Sequence, residues 1–192
     1  MTFANPAGNA AAAAAGYVRA LLELLGDRDP LAVAAELVPW LERRTAGVPD
    51  DVLRRPEAPG KWSTIEVIQH LADTELVIGW RTRIVLTEER PVIQGYDQDA
   101  WARTLGYRDV PLAMALDQLR GIRMANLRLW HSLTAAQRKR VGMHSERGPE
   151  SVDLLIRLMG AHDLVHRRQI DRVLSAVGGG ANHPPDPSLR SG

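Results

Sequence analysis

The segment ESVDLLIRLMGAHDLVHRRQIDRVLSAV, residues 150–177, has the residue spacing of a helix packed inside a bundle. The interior-type positions recur three and four residues apart, and they are Val152, Leu155, Met159, His162, His166, Gln169 and Val173. This spacing places them along one helical face, of the kind that packs against partner helices. Two histidines therefore occupy positions where leucine would be expected. We predict that both face the protein interior.

Working outward from this segment, the sequence predicts helices nearly throughout. The start and stop signals are clear: Asp29 precedes Pro30 at the first position of one helix. Ser63 and Glu66 form an S-x-x-E capping box at the start of another. The predicted long helices cover about residues 10–26, 30–47, 64–87, 111–133 and 150–177, with short helices from Asp97 and Thr134. Residues 141–150, VGMHSERGPE, are predicted to form a loop.

These patterns predict an all-α protein, since no segment shows sustained period-two alternation. We expect a four-helix bundle with extra short helices and loops. The predicted organisation is a single domain over residues 1–180 and a flexible C-terminal tail over residues 181–192, which contains Gly and Pro.

Composition restricts the classes of function. The chain has 192 residues, a net charge of +1 and no cysteine, so disulfides, iron–sulfur clusters and thiolate nucleophiles of the protein itself are excluded. We expect neither a nucleic-acid partner nor a membrane partner, because there is no basic patch with interleaved aromatic residues and no long apolar stretch. The N-terminus lacks the basic region of a signal peptide, so the expected location is cytoplasmic.

The histidines are the candidate functional residues. His162 and His166 stand one helical turn apart on the same face, and His70 lies among apolar residues near the start of the helix that follows the capping box. Neutral imidazoles in an apolar seam need hydrogen-bonding or metal partners, because unpartnered buried polar atoms are costly. Three imidazole ligands with no fourth protein ligand would leave an open coordination position, as in catalytic metal sites. We expect a divalent metal, zinc or nickel in the first place and iron as an alternative.

Two other interpretations stay open at this point. The histidines could be hydrogen-bonded core residues, and the pair four residues apart could arise by chance. The spacing also differs from H-E-x-x-H, because Asp163, Leu164 and Val165 separate the two histidines, so no glutamate base lies between them.

Asp73, three residues after His70, is a candidate to orient a ligand or shuttle a proton, although an exposed acid is an equally good interpretation. His144 lies in the predicted loop, where it could border a pocket.

The segments RPEAPGKWSTIEVIQHLADTE and GAHDLVHRRQI, together with GYDQDAW and HSERG, resemble the DinB-like, or YfiT-like, superfamily of bacterial proteins. The resemblance covers roughly residues 21–177 and matches His70, His162 and His166 to that family's three metal ligands. It implies a four-helix bundle, often a homodimer, with a divalent metal at the bottom of a pocket for a small-molecule substrate. The superfamily includes S-transferases that use the low-molecular-weight thiols bacillithiol or mycothiol, a mycothiol-dependent maleylpyruvate isomerase, and metal-dependent hydrolases.

The leading hypothesis is therefore a metal-dependent enzyme that activates either a low-molecular-weight thiol for S-transfer or water for hydrolysis. Thiol transfer is preferred slightly, because no obvious general base accompanies the ligands. The alternative is a non-catalytic metal-binding or stress-response bundle. No motif in the sequence identifies a substrate or the thiol.

Overall fold

A computed structural model describes residues 10–178 of the chain. Within them, eight α-helices account for most of the chain. They are α1 (Ala10–Leu25), α2 (Pro30–Thr45), α3 (Asp50–Leu53), α4 (Thr64–Thr87), α5 (Gln98–Thr104), α6 (Leu112–Ser132), α7 (Ala135–Arg138) and α8 (Val152–Ala176). A 3-10 turn, Tyr107–Asp109, connects α5 to α6. The tail predicted for residues 181–192 lies outside the described residues, as does His183.

The helix starts follow the predicted local signals. The Asp29 side chain accepts a hydrogen bond from the Leu31 backbone at 2.9 Å, which caps α2. At the start of α4, the Ser63 backbone N–H donates to Glu66 at 2.8 Å, which completes the capping box. Asp97 and Thr134 cap α5 and α7 with their side chains. The predicted positions of these four helices are confirmed.

The bundle consists of α2, α4, α6 and α8. Helix α4 packs against α6 and α8, and α2 packs against the same two helices, so the four enclose a common core. Helix α1 lies outside this group and packs on α8. The predicted four-helix bundle with extra short helices is confirmed, and α1 is a fifth long helix on its outer face.

A small sheet occupies part of the region that we predicted to be loop. It contains β1 (Val92–Ile93), β2 (Val141–His144) and β3 (Gly148–Ser151) in that order. Strand β1 pairs parallel to β2, and β2 pairs antiparallel to β3. Gly142 faces α4 and the β1 side chains so closely that a Cβ would lie 2.7 Å from Val85 and 2.6 Å from Ile93. The hairpin therefore covers the C-terminal half of α4.

None of the helices in the described part of the chain is both long enough and apolar enough to cross a membrane.

Candidate metal centre

Two long helices supply the three predicted ligands. His70 lies in the second turn of α4, where it is buried, and His162 and His166 lie in the middle of α8, where they are partly buried. Because α4 and α8 pack directly against each other, residues at similar depth on the two helices meet between them. The structure thus brings together the three histidines that the sequence pattern singled out.

Each of the three rings points its Nε2 atom toward the other two. Nε2 of His162 lies 3.2 Å from Nε2 of His70 and 3.0 Å from Nε2 of His166. The potential ligand nitrogens of the three residues all lie within 4.8 Å of one another. Two nitrogens bound at about 2.0–2.1 Å to one tetrahedral ion are separated by roughly 3.3 Å. The observed separations are close to that value.

The hydrogen bonds fix the orientation of one ring. Nδ1 of His166 lies 2.7 Å from Oε1 of Gln169. Since an amide oxygen can only accept, the proton of the neutral His166 ring is on Nδ1 and the lone pair is on Nε2. Metal-binding histidines commonly have such an acceptor at the outer nitrogen. Nδ1 of His162 is buried and has no hydrogen-bond partner, and the Thr74 hydroxyl lies beside the His70 ring at 3.4–3.5 Å.

The environment keeps all three rings neutral near pH 7. Burial, reinforced by the neighbouring histidines, lowers the pKa of His70 and His162 well below the ordinary value. Burial lowers the pKa of His166 to about 4, although its hydrogen bond to Gln169 acts in the opposite direction. A metal binds imidazole only in the neutral form. Three convergent, neutral nitrogens with lone pairs available fit a divalent transition-metal cation.

Asp73 does not take the role that we expected for it. Its carboxylate accepts hydrogen bonds from Tyr107 at 2.6 Å, Gln118 at 2.7 Å and Gln69 at 3.2 Å, and from no histidine. The reason is its angular position on α4, which points the side chain toward α6 and the 3-10 turn. The expectation that Asp73 orients a ligand is therefore wrong.

The other acids near the histidines in the sequence are also engaged elsewhere. Glu66 completes the capping box, and Glu75 and Asp163 both pair with Arg123. Within the described residues, the group able to hold an ion consists of His70, His162 and His166.

The two other histidines of the described residues, His131 and His144, do not belong to this group. His131 is exposed near the end of α6. His144, predicted to lie in a loop, is a buried residue of β2, and its Nδ1 accepts a hydrogen bond from the Glu146 backbone at 3.2 Å.

Several residues that the sequence did not single out line the centre. Trp62 packs beside His70 with ring centroids 5.0 Å apart. The Tyr96 hydroxyl is 2.9 Å from the Thr74 hydroxyl, and the Tyr96 ring lies 4.7 Å from that of Trp101. Trp62 and Thr74 therefore contact His70 directly, and Tyr96 and Trp101 continue from Thr74 away from the ring. Gln169 was already among the interior-type positions of its helix, and its place three residues after His166 is a local signal of its role.

The fold and the site together define a class of protein: a helical bundle with three histidines from two helices gathered at one point. Comparison with known families identifies the class more closely. The model of the DinB superfamily matches residues 40–170. The chain belongs to the DinB superfamily.

Individual relatives agree with this assignment. The chain is 32% identical over 111 residues to a protein of Geobacillus thermodenitrificans named "Putative metal-dependent hydrolase", an alignment that covers 58% of this chain and 62% of that protein. It is 31% identical over 110 residues to a protein of Oceanobacillus iheyensis with the same description, covering 56% and 63% of the two chains. The chain thus spans less than two thirds of the length of these curated relatives.

A solved structure shows the same fold. YfiT from Bacillus subtilis, described as a probable metal-dependent hydrolase with an unusual four-helix bundle topology, matches with a TM-score of 0.72 and 25% sequence identity. The match covers 78% of this chain and 86% of that one.

Proposed function

We propose that this protein is a metal-dependent enzyme in which His70, His162 and His166 hold one divalent cation. The observation that carries the proposal is the convergence of three neutral imidazole nitrogens at distances that suit a shared ion. With three protein ligands, a fourth position is left for a small molecule, as catalytic sites require. When bound, a divalent cation supplies Lewis acidity that makes a coordinated thiol or water more acidic. Zinc or nickel is the proposed metal, and iron is the alternative.

Of the two nucleophiles, we favour a low-molecular-weight thiol, which would make the protein an S-transferase. A thiol has an ordinary pKa of about 8.5, so it needs only a small shift to ionise at neutral pH. Water needs a larger shift and commonly a proton acceptor as well. The nearby acids Asp73, Glu75 and Asp163 are bound to other groups, which leaves none of them as that acceptor.

The residues around the histidines would bind and orient the reactants. The Thr74 hydroxyl lies beside His70 and the Tyr96 hydroxyl is bonded to it, and either can donate a hydrogen bond to an anionic nucleophile. The rings of Trp62 and Trp101 limit the access of water from their sides. Gln169 holds the His166 ring in its ligating orientation.

Hydrolysis is the second candidate, and the names of the relatives favour it. In that case a metal-activated water would be the nucleophile. Both candidates need the same three histidines. They differ in the nucleophile that the reaction consumes, which is a thiol in S-transfer and water in hydrolysis.

The test is to incubate the metal-loaded protein with small thiols and a model electrophile, and separately with a model ester. We expect thiol conjugation at a rate that falls to background in a His70→Ala variant and is unchanged in a His131→Ala variant, because His131 is exposed on α6. Ester cleavage with the same dependence on His70 would instead assign hydrolysis. Metal binding without either reaction would favour the non-catalytic metal-binding bundle.

The remaining expectations concern partners and location. We propose a cytoplasmic protein that acts on small molecules, without a nucleic-acid or membrane partner. The homodimer implied by the family resemblance is tested by light scattering on the purified chain, which distinguishes one copy from two.

A further inference from the structure

Arg81 is a buried cation that forms no direct ion pair with a carboxylate. It lies on α4 with 5% of its surface exposed. Its Nη2 donates to the backbone carbonyl of Gln94, while its Nε–H is buried and has no acceptor. The buried residues Arg44 and Arg123 pair with carboxylates, but among the described residues no carboxylate forms an ion pair with Arg81. Glu150 and Glu146 attract Arg81 only through space, and the Tyr96 ring lies 6.0 Å from the guanidinium, so the buried charge has no hydrogen-bonded counter-ion. Such an arrangement is costly.

His144 is a second buried donor without an acceptor. Its Nδ1 accepts the Glu146 backbone N–H at 3.2 Å, which places the proton of the neutral ring on Nε2. That Nε2 is buried and has no partner in the structure. Burial, together with the positive charge of Arg147, lowers the pKa of His144 to about 4, so the ring is neutral at pH 7.

The packing of β2 on α4 places these two residues at the same level. Arg140, just before β2, donates to the carbonyls of Val85 and Glu88 on α4, and Gly142 lies against Val85. The strand therefore runs antiparallel to the helix. Two residues of strand and one turn of helix each advance about 6 Å, which brings His144 beside Arg81.

This pair is connected to the three-histidine centre. The Arg81 guanidinium lies 6.0 Å from the ring centroid of Tyr96, and the Tyr96 hydroxyl bonds the Thr74 hydroxyl next to His70. Arg81 follows His70 by 11 residues, which is close to three helical turns, so both occupy the same face of α4. A continuous line of polar groups thus leads from the centre to the hairpin.

We propose that Arg81, with the Nε2–H of His144 and the Tyr96 hydroxyl, binds the carboxylate of a small molecule whose other end reaches the three-histidine centre. Guanidinium and imidazole N–H groups are suited to a carboxylate. The neighbouring Arg147 is already paired with Glu150 at 2.5 Å and 3.1 Å. Glu146, the other carboxylate that acts on Arg81, is exposed to solvent, so the buried charge left without an ion pair is the single charge of Arg81, which a singly charged anion matches. The function as a substrate subsite rests on the proposed enzyme, whereas binding of the carboxylate itself does not require the metal.

The test compares hexanoate with hexanamide, an uncharged analogue of nearly the same shape. Ligand-detected NMR titrations are made on the metal-free and the metal-loaded protein. We expect hexanoate to bind about tenfold more tightly than hexanamide in both forms, as one charge-assisted interaction would give. Arg81→Gln should remove this preference, while Arg103→Gln, at an exposed position on α5, should leave it unchanged.

Because Arg81 is buried, the fold of Arg81→Gln is checked by circular dichroism. His144→Phe provides a second variant that keeps the charge of Arg81, and it should weaken hexanoate binding several-fold. A wild-type protein without preference for the carboxylate would overturn the proposal. A preference for hexanoate that appears only with metal and survives Arg81→Gln would also overturn it, because the carboxylate would then bind the metal ion.

A further arm identifies which reactant carries the carboxylate. If it is the thiol, mercaptohexanoate should bind the metal-loaded protein much more tightly than hexanoate does. Equal affinities would assign the carboxylate to the other substrate. Failure of the proposed enzyme activity would leave the result with metal-free protein unaffected, so the two proposals can fail separately.

Discussion

Two adjacent residues of α8 belong to two different buried polar clusters. The clusters differ in whether their polar atoms find partners within the protein. Asp163 receives two hydrogen bonds from Arg123, at 2.5 Å and 3.1 Å, and Arg123 also pairs with Glu75 at 2.8 Å. Each charge of this ionic cluster has an opposite charge within the protein. His162, one residue earlier, has an unpartnered Nδ1 and turns its Nε2 toward two other imidazole nitrogens.

A structural cluster and a binding site differ in whether the protein itself supplies the partners of the buried polar groups. In the ionic cluster each carboxylate lies against the same cation, and removing Arg123 would leave two buried charges. The histidine cluster offers lone pairs to a partner that the protein does not supply. The first should therefore determine stability, and the second should determine metal binding.

The largest expected effect is on the ionic cluster. Replacement of Arg123 by methionine leaves Glu75 and Asp163 without their cation, and we expect a loss of about 3–5 kcal/mol in the free energy of unfolding. Urea denaturation measures it. The matched control is Arg120→Met on the same helix, where an exposed ion pair should cost less than about 1 kcal/mol. Equal losses in the two variants would contradict the assignment of a structural role.

The next effect concerns the histidine cluster and appears on addition of metal. Zinc at about a hundred times its dissociation constant should raise the free energy of unfolding by about 2.7 kcal/mol, since it binds only the folded chain. A His162→Ala variant should show no such gain, and His131→Ala should behave as the wild type. Equal stabilisation of His162→Ala would place the metal elsewhere.

A smaller effect is expected at the edge of the histidine cluster. Gln169→Leu removes the acceptor of the His166 Nδ1–H. We expect the metal to bind about 10–100-fold more weakly, as is typical when such an outer hydrogen bond is lost. Competition with a chelator measures the affinity. Gln118→Leu is the control, because Gln118 bonds Asp73 and no histidine, and a similar loss in that variant would argue against a specific role for Gln169.

The pH dependence contributed by His144 is the smallest effect when it is expressed per pH unit. Its pKa is about 4 in the folded protein and about 6.5 when unfolded, so the unfolded chain binds the proton more readily. The contribution of His144 to the free energy of unfolding is fully present above pH 6.5. It is lost as the pH falls toward 4, by at most about 1.4 kcal/mol per pH unit. His144→Gln should reduce this slope in denaturation experiments between those pH values. An unchanged slope would show that His144 is protonated equally in both states.

The sequence was informative where the determinants are local. The capping residues Asp29 and Ser63 predicted the starts of α2 and α4, and the apolar seam of α8 indicated that His162 and His166 face inward. The hairpin was missed because its strands have four residues each and no alternation of buried and exposed side chains long enough to detect.

The rest of the site depends on contacts between distant segments. Asp73 was assigned to the histidines because of its distance in sequence, but the neighbours of its face of α4 are Tyr107 and Gln118. The positions of Tyr96 and Arg81 depend on how β1 and the hairpin pack on α4, which no local pattern specifies.

The most direct test of the central claim is elemental analysis of the full chain, prepared without an affinity tag and dialysed with zinc or nickel. We predict about one divalent ion per chain in the wild type and almost none when His70, His162 and His166 are all replaced by alanine. A folded wild-type protein that retains no metal, or a triple variant that retains as much as the wild type, would contradict it.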